Sequence, residues 1–121
     1  MNWIRMGSIL MFAAVALGAF GANALRGRLS PEMLAVFETG IRYHFYHALG
    51  LFAVAWLAEA HPSGYVSGAG WAFTFGIVVF SGSLYVLSIA GIRWLGAVTP
   101  IGGVAFLAGW LLLAAASFKM S

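Results

Sequence analysis

The sequence predicts an all-α, polytopic membrane protein, folded as a compact antiparallel bundle of four transmembrane helices. Of its 121 residues, 63% are hydrophobic and only 7% are charged, which leaves too little polar surface for a water-soluble domain. Four apolar stretches are long enough to cross a hydrocarbon core of roughly 30 Å, since each span needs about 20 residues. Short connections between them favour antiparallel neighbours.

The four helices are expected within a single domain, residues 1–121. Their predicted limits are residues 4–25, 31–60, 68–91 and 99–118.

Two Ser/Thr-Pro pairs predict helix starts. Ser30-Pro31 and Thr99-Pro100 each place a capping hydroxyl before a proline at the first helical position, where the missing N–H is harmless. The second and fourth helices are therefore expected to begin there. Residues 31–39 form either the first turns of the second helix or a separate interfacial helix hinged at Gly40, because glycine weakens a helix interior by about 1 kcal/mol.

Small residues recur at helical spacing in the first and fourth helices, so that backbones can approach closely there. Plain helix packing is favoured over a ligand groove at these positions. The residues are Ala14, Gly18 and Ala22, and Gly102, Ala105 and Gly109.

A polar segment, residues 38–47 (ETGIRYHFYH), interrupts the apolar pattern of the second helix. Polar groups at membrane depth are costly unless a site or an interhelical contact uses them. If the hydrocarbon begins near Ile41, His47 lies about 9 Å inside it and is the deepest titratable side chain. The members cover about half of the helix surface: Glu38, Thr39, Arg42, Tyr43, Tyr46 and His47, with His44 just beyond.

The two histidines of this segment allow three interpretations, because a neutral imidazole in hydrocarbon needs both a donor and an acceptor. We expect interhelical hydrogen bonding first, with His47 reaching Ser81, Ser83 or Tyr85 on the third helix, or Asn23 on the first. A proton-titrating or ligand-binding site comes second. A metal site comes last because a third ligand is missing, so no metal or other cofactor is predicted.

Other polar residues have simpler interpretations. Glu38 and Arg42 have the spacing of an ion pair on a helix surface. Ser81 and Ser83 have no acid or base beside them, so their hydroxyls are expected to bond to carbonyls of their own helix. With no recognisable catalytic set, the sequence predicts that the protein is not an enzyme.

The basic residues are scattered, which argues against nucleic-acid binding although the net charge is +3. Arg26, Arg28 and Arg93, with Trp94, are expected to contact lipid headgroups. They lie in the first and third connections, so the positive-inside rule favours both termini on the non-cytoplasmic side. The absence of cysteine excludes disulfides and thiolate metal sites.

Four blocks carry a family resemblance: residues 18–26 (GAFGANALR), 39–48 (TGIRYHFYHA), 80–85 (FSGSLY) and 93–103 (RWLGAVTPIGG). Together they resemble domain of unknown function 423, an uncharacterised bacterial membrane family related to the transmembrane protein 256 family. The resemblance implies a small multi-pass protein of the bacterial cytoplasmic membrane and carries over no activity, substrate or cofactor. Asn23 stands where that family usually has histidine, which disfavours a metal or proton site at this position.

These observations lead to one functional hypothesis and one alternative. The first is a non-enzymatic membrane component that binds lipids or a membrane-protein partner, with the polar face of the second helix and Asn23 forming an interhelical cluster. The alternative is a small homo-oligomeric, proton-coupled transporter or channel that uses Glu38, Arg42 and His47.

Overall fold

The computed structural model describes residues 2–120, and every regular element in that range is a helix. The four long helices are α1 (Trp3–Leu25), α2 (Pro31–Ala60), α3 (Gly64–Ala90) and α4 (Thr99–Ser117). A short 3₁₀ segment, Arg93–Ala97, precedes α4. Two π-helical turns, Leu17–Gly21 in α1 and Ile77–Ser81 in α3, interrupt the regular hydrogen bonding of their helices.

The start of α2 is confirmed, and residues 31–39 belong to it. The Ser30 hydroxyl accepts a hydrogen bond from the Met33 N–H at 3.2 Å, with Pro31 at the first helical position. The helix continues through Gly40 without a hinge, because Gly40 is packed against the Tyr85 ring rather than left open to water. The two alternatives for residues 31–39 are thus resolved in favour of one long helix.

One helix start and one helix cap differ from the prediction, whereas α4 begins at residue 99 as predicted. The third helix begins at Gly64 instead of residue 68, because the Ser63 hydroxyl caps it by accepting from the Val66 N–H at 3.4 Å. Thr99 does not cap α4, since the preceding 3₁₀ segment gives Val98 a helical backbone. The Thr99 hydroxyl turns back and donates to the Leu95 carbonyl at 3.2 Å.

Three of the four helices are long and apolar enough to cross a membrane: Trp3–Leu25, Gly64–Ala90 and, including the 3₁₀ segment, Arg93–Ser117. Helix α2 has the length, at 30 residues, but its polar segment lowers its hydropathy. The structure therefore confirms the all-helical fold and gives three candidate membrane spans by length and composition. The second predicted span, α2, is present as a helix but is not among these candidates.

Consecutive helices pack against each other in antiparallel pairs. Gly7 near the start of α1 faces Leu51 of α2, and Gly21 near the end of α1 faces Phe37 at the start of α2. Helix α2 likewise packs antiparallel against α3, and α3 packs antiparallel against α4. By contrast, α2 and α4 do not pack along their length, so that a gap remains between them above α3.

The predicted close approach at small residues is confirmed in α4. Gly102 lies against the backbone of Phe80, and Gly109 lies against the Phe73 ring, which fills the space that a side chain at Gly109 would need. Both glycines are buried. Aromatic side chains of α3 thus interlock with glycines of α4, which gives a tight contact without a polar group.

Candidate functional site

The gap between α2 and α4 forms a groove of about 630 Å³, which we call the α2–α4 groove. Its size falls in the range typical of small-molecule sites. It is open at one side, where Val104 and Leu107 are 65% and 67% exposed. Its lining is almost entirely apolar and rich in rings: Tyr43, Tyr46, His47, Phe80, Pro100, Gly103, Val104, Phe106, Leu107 and Trp110.

His47 holds the two walls of this groove together. Its ring stacks on Phe106 of α4 with centroids 3.6 Å apart and planes within 6°. The Trp110 indole N–H donates to His47 Nε2 at 3.0 Å, and His47 Nδ1 donates to the Tyr43 carbonyl at 2.7 Å. Only 4% of His47 is exposed, so its ring is buried within the wall of the groove that it forms with Phe106 and Trp110.

These partners determine the tautomer of His47. A carbonyl oxygen can only accept and an indole N–H can only donate, so the proton of the neutral ring must be on Nδ1. Adding a proton to Nε2 would set two N–H groups against each other and break the link to Trp110. In this arrangement His47 is a neutral connecting group between helices, with neither ring nitrogen free for a ligand.

His44 makes a second connection, to α1 and α3. Its Nε2 donates to the Leu10 carbonyl at 2.8 Å, and the Tyr85 hydroxyl donates to its Nδ1 at 2.8 Å. His44 is therefore the histidine that contacts Tyr85, whereas the sequence pointed to His47 for that bond. The reason is helical geometry: a difference of three residues turns the two rings about 60° apart, toward different neighbours.

Ser81 of α3 makes a third hydrogen bond to α2, in this case to the α2 backbone. Its hydroxyl donates to the Gly40 carbonyl of α2 at 2.7 Å and is fully buried. We expected this hydroxyl to bond within its own helix, and that expectation is wrong for Ser81. The π-helical turn Ile77–Ser81 ends at this residue, and Gly40 lets Tyr85 and Leu84 approach close enough for the bond to form.

Two other predicted members lie outside these contacts between helices. The Asn23 amide donates to the Ala19 carbonyl of its own helix at 2.7 Å and is exposed, so it does not join the histidines. Thr39 likewise donates to Ala35 at 3.0 Å. The expected cluster that included Asn23 is not formed, because its exposed side chain is hydrogen-bonded within its own helix.

Ser83 behaves as predicted and adds one contact. Its hydroxyl donates to the Phe80 carbonyl at 2.9 Å, within its own helix. It also lies 2.6 Å from the Thr99 hydroxyl at the start of α4. Because each hydroxyl has one proton, a Ser83–Thr99 hydrogen bond forms only when one of the two is not donating to a carbonyl of its own segment.

The charged residues are separate from the histidines. Glu38 and Arg42 line a smaller groove between α1 and α2, and both are exposed. Arg26 and Arg28 lie in the connection after α1, whereas Arg93 and Trp94 lie in the 3₁₀ segment. All four of these residues are exposed, which is compatible with the predicted headgroup contacts.

Sequence reasoning missed Trp110, Phe106 and Phe80, which build the groove with His47. One signal was available: Trp110 lies in the middle of an apolar span, where an indole N–H needs an acceptor. Phe80 and Phe106 carried no such signal, since phenylalanine is common in membrane helices and needs no polar partner. Within residues 2–120 no three His, Cys, Asp or Glu side chains are grouped so as to hold a metal ion.

Comparison with known proteins places the chain among bacterial membrane proteins. The family model described as "Protein of unknown function (DUF423)" matches residues 17–103. The UPF0382 membrane protein YwdK of Bacillus subtilis (strain 168) is 51% identical over 118 residues, which cover 97% of this chain and 96% of the relative. The UPF0382 membrane protein SH2409 of Staphylococcus haemolyticus (strain JCSC1435) is 44% identical over 117 residues, with 97% and 95% covered.

No solved structure is significantly similar to the chain. The family match and the near full-length relatives agree with each other and with the helical structure. The chain therefore belongs to the membrane-protein family described as "Protein of unknown function (DUF423)".

Proposed function

We propose that the protein is a non-enzymatic, multi-pass component of the bacterial cytoplasmic membrane that binds one acyl chain of a lipid in the α2–α4 groove. One observation supports this most: the groove opens beside the exposed Val104 and Leu107 and has an apolar, aromatic lining. Its only imidazole, His47, is already hydrogen-bonded on both sides within the protein. A hydrocarbon chain needs no polar partner and fits such a lining.

The position of the α2–α4 groove along the membrane normal also supports an acyl chain as its occupant. Phe106 and Trp110 flank the midpoint of α4 (Thr99–Ser117), so the groove lies at the level of lipid tails once α4 spans the bilayer. In this proposal α2 is the fourth span, because its polar segment is satisfied by bonds to the other three helices. The lipid is retained longer than its neighbours because aromatic side chains form much of the lining.

Gly103 offers a precise test of acyl-chain binding. A Cβ added there would lie 3.8 Å from the Phe80 ring, an ordinary contact, so Gly103→Leu should fill the groove without displacing the backbone. Ala108→Leu adds a similar bulk to an exposed position of α4 outside the groove and is the matched control.

The measurement is photocrosslinking with a phospholipid that carries a diazirine on its acyl chain, followed by peptide mapping. The wild type and Ala108→Leu should be labelled at groove residues such as Tyr46 and Trp110. Labelling in Gly103→Leu should fall about fivefold or more, which corresponds to roughly 1 kcal/mol of lost binding. Equal labelling of all three proteins would refute the proposal.

A proton-coupled transporter has less support from the geometry. Both histidines have both ring nitrogens engaged within the protein. Glu38 and Arg42 line a different groove from His47, so they do not lead to it from the membrane surface. We therefore prefer lipid binding to proton transport.

A further inference from the structure

A second groove lies between α1 and α2 and has a volume of about 250 Å³. Unlike the α2–α4 groove, it combines small residues with two opposite charges. Gly18 and Ala22 of α1 leave room in it, while Glu38, Ile41 and Arg42 of α2 form its other wall. We call it the α1–α2 groove.

The α1 wall is shaped by a local irregularity. Gly18 and its neighbours form the π-helical turn Leu17–Gly21, a feature that is frequent at functional sites. A side-chain carbon at Gly18 would lie 3.4 Å from the Ile41 side chain and would take up space between the two walls of the groove. The absence of a side chain at this position therefore keeps the groove open.

Glu38 and Arg42 stand one helical turn apart on the other wall, about 6 Å along the axis. Arg42 lies five residues from His47, which places it about 7.5 Å along the helix axis toward the end that carries Arg26 and Arg28, near the predicted edge of the hydrocarbon. Both charges are exposed on a lipid-facing helix, where an ion without a partner is costly. The flexible stem of Arg42 lets its guanidinium reach the inner part of the headgroup region, while Glu38 lies further out.

The order of the charges selects the ligand. From the membrane interior outward, the groove presents a cation, Arg42, and then an anion, Glu38. The headgroup of phosphatidylethanolamine presents the complementary order, a phosphate nearer the tails and an ammonium further out. Its two charges are separated by a two-carbon linker, comparable to the roughly 5–6 Å between Cβ atoms four residues apart on a helix.

We propose that the α1–α2 groove binds the headgroup of phosphatidylethanolamine, with Arg42 on the phosphate and Glu38 on the ammonium. Phosphatidylglycerol has the same phosphate but no cation for Glu38. Phosphatidylcholine has a cation without an N–H to donate to the carboxylate. The site is separate from the α2–α4 groove, and its test does not depend on acyl-chain binding there.

The experiment measures which lipid the protein retains. The full chain is reconstituted into vesicles that contain equal amounts of phosphatidylethanolamine, phosphatidylglycerol and phosphatidylcholine with identical tails. It is then extracted in a mild detergent and examined by native mass spectrometry. The wild type should retain phosphatidylethanolamine in preference to both competitors by about threefold, the size expected for one partly exposed ion pair.

The variants separate the two charges. Glu38→Gln should remove the preference for phosphatidylethanolamine over phosphatidylglycerol, whereas Arg42→Gln should reduce retention of both. Arg42→Lys keeps the cation and should keep the preference. Glu32→Gln and Arg5→Gln remove exposed charges of the same kinds outside the groove and should change nothing.

Three outcomes would overturn the proposal. One is equal retention of the three lipids by the wild type, and another is an unchanged preference in Glu38→Gln. The third is a dimer that is lost in both Glu38→Gln and Arg42→Gln without any lipid preference, which would make the groove a subunit interface. Gly103→Leu should leave the headgroup preference intact, so failure of this proposal is distinguishable from failure of acyl-chain binding.

Discussion

His44 and His47, three residues apart on α2, are held in opposite neutral tautomers. His44 carries its proton on Nε2, which donates to the Leu10 carbonyl, and accepts from Tyr85 at Nδ1. His47 carries its proton on Nδ1 and accepts from Trp110 at Nε2. Through these two rings α2 is hydrogen-bonded to each of the other three long helices.

The bond between Trp110 and His47 should contribute measurably to stability. Trp110→Phe keeps an aromatic ring in the groove but removes the N–H that His47 accepts. We expect a loss of about 0.6 kcal/mol, the average for such bonds between membrane helices. The measurement is reversible unfolding in mixed micelles of mild detergent and sodium dodecyl sulfate.

Trp56→Phe is the matched control, because Trp56 is 62% exposed on α2 and lies outside the groove. It should leave the free energy of unfolding within about 0.3 kcal/mol of the wild type. A double-mutant cycle of Trp110→Phe with His47→Ala isolates the coupling. A coupling energy near zero would show that the two rings merely touch.

Tyr85 tests the other histidine. Tyr85→Phe keeps the ring against Gly40 but leaves His44 Nδ1 without a donor in an apolar environment. We expect a loss of about 1 kcal/mol in the same unfolding assay. Tyr46→Phe removes a hydroxyl from a tyrosine that is 51% exposed and should be nearly neutral. Equal effects of the two substitutions would contradict the proposed role of the His44 bond.

Gly102 and Gly103 are adjacent in α4 but differ in whether the structure has room for a side chain at their positions. A Cβ at Gly102 would collide with the backbone of Phe80, which cannot give way, whereas Gly103 meets only the edge of the Phe80 ring at 3.8 Å. Gly102→Ala should therefore destabilise the protein by about 1–3 kcal/mol. Gly103→Ala should be neutral or stabilise by up to about 1 kcal/mol through helix propensity. Similar unfolding energies for both variants would refute the close α3–α4 contact.

The orientation in the membrane can be tested because the chain has no cysteine. Gly27 and Gly64 lie at opposite ends of α2, and a side chain at either meets no atom within 4 Å. Gly64→Cys should react with a membrane-impermeant maleimide added to intact spheroplasts, and Gly27→Cys should react only after lysis. This follows from the arginines near Gly27 and the positive-inside rule. The reverse labelling pattern would place both termini in the cytoplasm.

Proton transport is the clearest test between the two functional hypotheses. With both histidines hydrogen-bonded on both nitrogens, we expect proteoliposomes to show no proton flux above that of empty vesicles across a pH gradient. The measurement uses an entrapped pH-sensitive dye. A flux that is abolished by His47→Gln but retained in Trp56→Phe would overturn the lipid-binding proposal in favour of a transporter.

Much of the helical layout was predictable from local signals. The start of α2 at Ser30-Pro31 and its end at Ala60, just before the helix-breaking sequence His61-Pro62-Ser63-Gly64, depend on neighbours in sequence, so both were predictable. The Thr99 cap was wrong, because a 3₁₀ segment that carries no distinctive local signal supplies the helical backbone before it. The capping rule failed at Thr99 because the 3₁₀ segment before it already gives Val98 a helical backbone conformation.

The candidate site was predictable only in part. The sequence identified the polar segment of α2 as the place where bonds to other helices must form, because polar groups in hydrocarbon require partners. It did not identify the partners. Asn23 was expected to join the histidines but bonds to Ala19, whereas Trp110, absent from the expected set, bonds to His47.

The sequence by itself determined the class of the protein, since a chain with 63% hydrophobic and 7% charged residues has few ways to satisfy its backbone except as helices in a membrane. Only the tertiary structure decided which histidine contacts which helix. It also decided that α2 and α4 are separated by a groove lined in part by Phe80 of α3. Those outcomes depend on the rotation and spacing of packed helices. They are determined by contacts between residues 34 to 63 positions apart, such as Leu10 with His44 and His47 with Trp110.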